Sequence, residues 1–134
     1  MRLVRKLALC AAGAALVSTA AVASPAQAAG SVIDIGYTIQ SGHYIKGSGS
    51  MTNNGDYTNV CIAIEGTAGG VRGTINGQSA CRNTRGSATW SAPDFNWYGW
   101  VAAGQCGHFD TRIYAYNNGN RVAAKWSNTV TVCG

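Results

Sequence analysis

What the chain has least of is charge. Of its 134 residues ten are Lys or Arg and five are Asp or Glu, so charged side chains make up 11% of the sequence. That excludes a highly charged disordered tail and a coiled coil, both of which need dense charge. Proline is nearly missing, at two residues, and the length has room for one domain rather than two. Beyond Ala28 no stretch places apolar side chains at the 3.6-residue spacing of an amphipathic helix, and no run is long enough to span a bilayer as one. A G-x-S-x-G elbow, an H-E-x-x-H pair, a P-loop and a papain-type cysteine context are all absent.

What is there begins with a leader. Arg2, Arg5 and Lys6 give a positive start, Leu7 to Val17 an apolar core, and Ala26-Gln27-Ala28 a small-residue cleavage site. Ser18, Thr19, Ser24 and Pro25 break the apolar run before membrane-spanning length, and Cys10 lies inside that run, where a lipoprotein cysteine would follow it. Residues 1–28 are therefore expected to be a secretory signal and residues 29–134 a single exported, extracellular domain with no membrane attachment. Without the leader, seven basic side chains (Lys46, Arg72, Arg82, Arg85, Arg112, Arg121 and Lys125) face five acids, a net charge of +2. They are scattered singly rather than set in a stripe, so nucleic acid is not an expected partner.

Past the leader stand Cys61, Cys81, Cys106 and Cys133, an even number in an exported chain, which reads as two disulfides. Their spacings of 20, 25 and 27 residues do not suit a zinc site, and neither metal nor cofactor is expected. Three pairings are possible. Folding the chain back at Asn117-Asn118-Gly119-Asn120 brings Cys106 near residue 131, and a bulge near Ser127-Asn128 would absorb the remaining offset to Cys133. That favours Cys106 with Cys133, and Cys61 with Cys81 by elimination.

Strand signals fill the rest. Ile33, Ile35, Tyr37 and Ile39 alternate with polar or small residues from Val32 to Ile39, and His43 to Met51 follows as a second run whose Gly47 and Gly49 suggest an edge or twisted segment. Tyr57 to Glu65 is apolar on both faces, as in a central strand. Val71 to Ile75 and Ser79 to Arg82 flank Asn76-Gly77, a hairpin signal, and Ser87 to Ala92 is a further strand. Phe109, Thr111, Ile113 and Ala115 alternate with His108, Asp110, Arg112 and Tyr114 before the turn at Asn118-Gly119 and the return from Arg121 to Cys133. About seven to eight short strands with glycine-marked turns predict an all-β, two-layer immunoglobulin-like sandwich carrying two disulfides.

The segment from Phe109 to Gly119, followed by Trp126-Ser127-Asn128-Thr129-Val130-Thr131-Val132, resembles the closing strands of fibronectin type III domains, with Phe109 where that family usually has tyrosine. The resemblance covers about a quarter of the exported chain and implies the sandwich architecture. The Ala-rich leader, Gly/Asn-rich turns and two-disulfide plan also resemble small secreted proteins of actinobacteria, among them the small adaptor subunits of streptomycete umbrella toxin particles. That likeness implies a role joining a repeat-bearing toxin subunit to a subunit that recognises a cell surface.

Acid–base chemistry would have to come from His43, His108, Glu65, Asp34, Asp56, Asp94 and Asp110. Glu65, His108 and Arg112 could serve as base, acid and phosphate clamp of a small ribonuclease. Alternation sends His108 and Arg112 to solvent, however, and Glu65 reads as a solvated carboxylate at a strand end, so an enzyme is not the expectation. The segment Trp90 to Trp100 stands out, with three of the four tryptophans and five of the twelve aromatic residues. Phe95, Trp97, Tyr98 and Trp100 are expected to face a partner, framed by Arg82 and Arg85; Ile33, Ile35 and Tyr37 of the opening strand form a second candidate surface for strand addition. The expected function is a secreted non-enzymatic protein-interaction module, with a polysaccharide-binding module or a hydrolase inhibitor as alternatives.

Overall fold

The computed structural model describes residues 30–134 apart from 69, 70, 76 and 77. The leader, Met1 to Ala28, and the turn expected at Asn76-Gly77 lie outside the described residues. Within them the protein is all-β: twelve strands and no α-helix. The excess over seven to eight arises because several expected runs are divided.

The largest sheet is built on two long antiparallel strands, β5 (Asn59–Ala68) and β10 (Cys106–Asn117), paired from His108 opposite Thr67 to Tyr116 opposite Asn59. Each is long enough to hold two shorter strands end to end on its other edge. β12 (Val130–Cys133) pairs the start of β10 and β11 (Asn120–Trp126) its end. β6 (Val71–Thr74) pairs β5 from Glu65 to Ala68, and β7 (Ala80–Arg82) pairs it from Val60 to Ile62. The runs flanking Asn76-Gly77 therefore do not form a hairpin with each other; both run antiparallel to β5. Cys61 lies directly opposite Cys81, and Cys106 opposite Cys133, and both pairs are bonded. Two such bridges are in keeping with an oxidising, extracellular setting.

A second sheet has the order β1 (Val32–Ile35), β4 (Ser48–Asn53), β8 (Gly86–Ser91), and a third the order β2 (Ile39–Ser41), β3 (Tyr44–Lys46), β9 (Phe95–Asn96). The expected strand Val32 to Ile39 is thus split between two sheets. Its break is held by Thr38, which is buried. The Thr38 hydroxyl lies 2.6 Å from those of Thr111 and Ser127, its N–H donates to Asn128 Oδ1 at 2.9 Å, and its carbonyl accepts from Asn128 Nδ2 at 3.1 Å. The run His43 to Met51 is split at Gly47, where a Cβ would overlap the Thr111 side chain. β4 is central in its sheet rather than an edge, and its Gly49 lets Asp34 O and Ile62 approach.

At the tip of the β10–β11 hairpin Asn118 (φ 49°) and Gly119 (φ 82°) both take the left-handed conformation of a type I′ turn. The offset that brings Cys106 to Cys133 is absorbed in two steps. Val122 is an extra residue between the pairs Tyr116–Arg121 and Ala115–Ala123, and a second residue is gained across 127–129, between β11 and β12. Only the latter bulge was expected.

One hydrophobic cluster joins the sheets: Ile33, Met51 and Trp90 from the second, Ile45 and Phe95 from the third, and Val60, Ile62, Ile64, Phe109, Ile113, Ala115 and Val132 from the first. The opposite face of β5 and β10 does not follow the expected alternation. Arg112 and Glu65, expected in solvent, are buried, as is Asp110.

Candidate functional site

The aromatic segment follows β8 directly. Lys46 Nζ holds Asp94 Oδ2 at 2.7 Å, and Phe95 enters the core, with its ring centroid 5.6 Å from those of both Trp100 and Phe109. Phe95 is therefore a foundation and not the contact residue expected. Above it the chain is tightly turned. Trp97 N–H donates to His43 O at 2.9 Å and its indole N–H to Gly42 O at 3.1 Å, while Trp97 O accepts from the N–H groups of Trp100 and Val101. Gly99 takes φ 82°, which a side chain would resist.

This frame holds the outer rings in place. The His43 imidazole stacks on Tyr98 at 4.5 Å and 15°, and meets the Trp97 ring edge-on at 5.5 Å. Tyr98 is nevertheless 67% exposed and Trp100 37%. Beside them lies a groove of ≈ 490 Å³ lined by His43, Trp97, Tyr98, Val101, Ala102 and Cys133 among others. Its far wall is fixed by the Cys106–Cys133 bridge and by Gly134, whose N–H donates to Gln105 O at 2.9 Å. His43 is the member that sequence reading missed; it stands alone after a turn, next to Gly42, which lies 55 positions from the tryptophan whose indole N–H donates to its carbonyl.

The remaining candidates lie elsewhere. Arg82 and Arg85 are exposed but do not frame the groove: Arg85 precedes β8 and the aromatic segment follows it, so the strand's length, about 20 Å, separates them. Arg82 instead lies over Trp90, 5.7 Å from the ring centroid. Ile33 is core and Ile35 half-buried, because β1 pairs with β4 of its own chain; Tyr37, past the break, is 83% exposed. The outer edge of β1 carries no strand among the described residues. Near Arg85, the Asp56 carboxylate accepts the Ser31 hydroxyl at 2.7 Å and its N–H at 3.0 Å. These bonds hold its pKa below the usual carboxylate value, with a smaller contribution from the Arg85 charge. Tyr57 is pushed up by burial and then by the Asp56 charge.

The possible ribonuclease trio is brought to one face of the β5–β10 sheet, but it is committed to structure. Arg112 Nε pairs with Glu65 Oε1 at 3.1 Å, Arg112 Nη2 donates to Thr74 Oγ1 at 2.7 Å, and Trp126 Nε1 donates to Glu65 Oε1 at 3.3 Å. His108 Nδ1 lies 2.9 Å from Thr131 Oγ1. No group of three or more His, Cys, Asp or Glu among the described residues is placed to hold a metal ion. No protein-family model matches the chain, and no curated protein or solved structure matches it.

Proposed function

We propose that this chain is a secreted, non-enzymatic module that binds another secreted protein through the groove lined by His43, Trp97 and Tyr98, on a two-layer immunoglobulin-like scaffold. The observation that carries the reading is Tyr98: two-thirds exposed, yet stacked on His43 and standing on a hydrogen-bonded turn. A ring already fixed in place loses little entropy when a partner covers it, and such rings dominate protein interfaces. The scaffold reading is supported by the single cluster that the facing sheets share. A place as adaptor in an extracellular toxin complex is the extension that the likeness to umbrella toxin adaptors suggests.

The flat His43–Tyr98 stack also suits a sugar ring, which makes a cell-wall polysaccharide the second reading. Tagged protein recovered from the culture fluid of the producing organism tests the first. A stoichiometric protein partner is expected with the native sequence and with Arg85→Ala, and is lost with Tyr98→Ala. Saturable tryptophan fluorescence shifts with chitin, glucan or peptidoglycan fragments, and no protein partner, would move the assignment to the second.

A further inference from the structure

The outer face of the β5–β10 sheet carries a feature that the groove does not use. Register places Tyr114, Tyr116, Arg112, Arg121 and Trp126 on this one face. Tyr114 is its hub: the Arg112 guanidinium stands 4.0 Å from its centroid and that of Arg121 4.6 Å, while Trp126 and Tyr116 meet the ring edge-on at 5.7 and 6.3 Å. Two like charges are thus gathered on one aromatic ring.

Their compensation is incomplete. Arg112 is buried, and its Nε and Nη2 are satisfied by Glu65 and Thr74, but Nη1 is buried with no hydrogen-bond partner. Folded proteins rarely leave such a donor unmatched, and an absent anionic partner is one of the few explanations. Arg121 is exposed and makes no ion pair among the described residues. The acids of this face, Glu65 and Asp110, are buried, and Lys125, on the opposite face, is turned to Asp34 at 3.7 Å. Arg112 is as buried as these acids and is paired with Glu65, so the positive charge presented outward around Tyr114 is that of Arg121. Trp126 is 45% exposed and tied to Glu65 by one long bond, so it can shift to admit a ligand at the guanidinium beside it.

We propose that this face is a second binding surface, one that takes an acidic peptide segment whose carboxylates engage Arg121 and Nη1 of Arg112 over the Tyr114 ring. Guanidinium and carboxylate match in charge and in planar geometry, and the flanking rings supply apolar area for the peptide's backbone and methylene groups.

The test titrates the folded, oxidised protein with a peptide of five glutamates while the Nε–H resonances of Arg112 and Arg121 are followed by NMR. A saturable shift of both is expected, with none from five glutamines. Arg121→Gln, an exposed change that leaves the fold intact, should weaken binding about tenfold. Tyr98→Ala should leave it unchanged, which separates this surface from the groove. The proposal is overturned by the absence of a saturable shift, by equal affinity in Arg121→Gln, or by loss of binding in Tyr98→Ala. Inorganic phosphate or oligothymidylate shifting the same resonances at lower concentration than the glutamate peptide also overturns it.

Discussion

Single side chains hold this protein together at points where backbone pairing stops. Asn53 is the fullest example: buried at the end of β4, it donates to Tyr57 O at 2.8 Å and Thr84 O at 3.2 Å, and accepts from the N–H groups of Gly55 and Tyr57. Asn53→Ala strips partners from all four and should cost about 2–3 kcal/mol in urea unfolding. Asp56 acts next to it on Ser31, and the sign follows from its lowered pKa. The bonds to Ser31 contribute fully above the unfolded carboxylate value of 3.8 and are lost as pH falls through the lower folded value. The protection factor of the Ser31 amide, the exchange rate of the unfolded chain divided by its own at the same pH, should therefore fall on acidification through that range, whereas Asp56→Asn should show no such pH step. The Glu65–Arg112 pair obeys a different rule. Removing Glu65 leaves a buried guanidinium, so Glu65→Leu should cost about 3–5 kcal/mol, while Glu65→Leu with Arg112→Leu should cost clearly less than the two single changes together. Neither partner was legible as buried. Arg112 sits at a polar position of an alternating strand and Glu65 at the expected end of another, and only the register that sets Glu65 opposite Asp110, and Arg112 opposite Ala63 and Trp126, shows what surrounds them.

At the scale of the element, local pattern carries far where contacts are local and little where they are not. Apolar residues on both faces of Tyr57 to Glu65 did mark a central strand, and Asn118-Gly119 did mark a hairpin, because the side chains concerned are also the ones that set the geometry. The breaks at Gly36–Thr38 and at Gly47 could not be read, since their cause is the Thr111–Ser127–Asn128 cluster more than 60 positions away in the chain. The end-to-end placing of β6 and β7 on β5 was hidden for another reason: Asn76-Gly77 carries a hairpin signal, yet each flanking run pairs with β5. Gly47→Ala forces a methyl group into Thr111 and should destabilise by about 1–3 kcal/mol, read as a lower denaturant midpoint with unchanged slope. The Cys106–Cys133 bridge closes 27 residues, and replacing both with serine should cost about 3–4 kcal/mol and loosen one wall of the groove.

Over the described domain, the sheets share one core, and the aromatic segment was legible as exceptional from composition alone. Its split into a buried base, Phe95, and an exposed platform, Tyr98 with His43 and Trp100, was not. That split depends on Phe109 beneath and on the turn at Gly42 beside it, neither of which is near in sequence. Arg82 and Arg85 were grouped with the platform by proximity along the chain, and Ile33 was put on a second surface by alternation; the structure places Arg82 over Trp90, Arg85 before β8 and Ile33 in the core. The central claim is that the fixed Tyr98 platform is what the partner grips. The most direct test is the Kd of the captured partner, measured calorimetrically against the native protein and Tyr98→Ala at equal thermal stability. A loss of at least about 2 kcal/mol, roughly thirtyfold in Kd, is predicted; an unchanged Kd would contradict it.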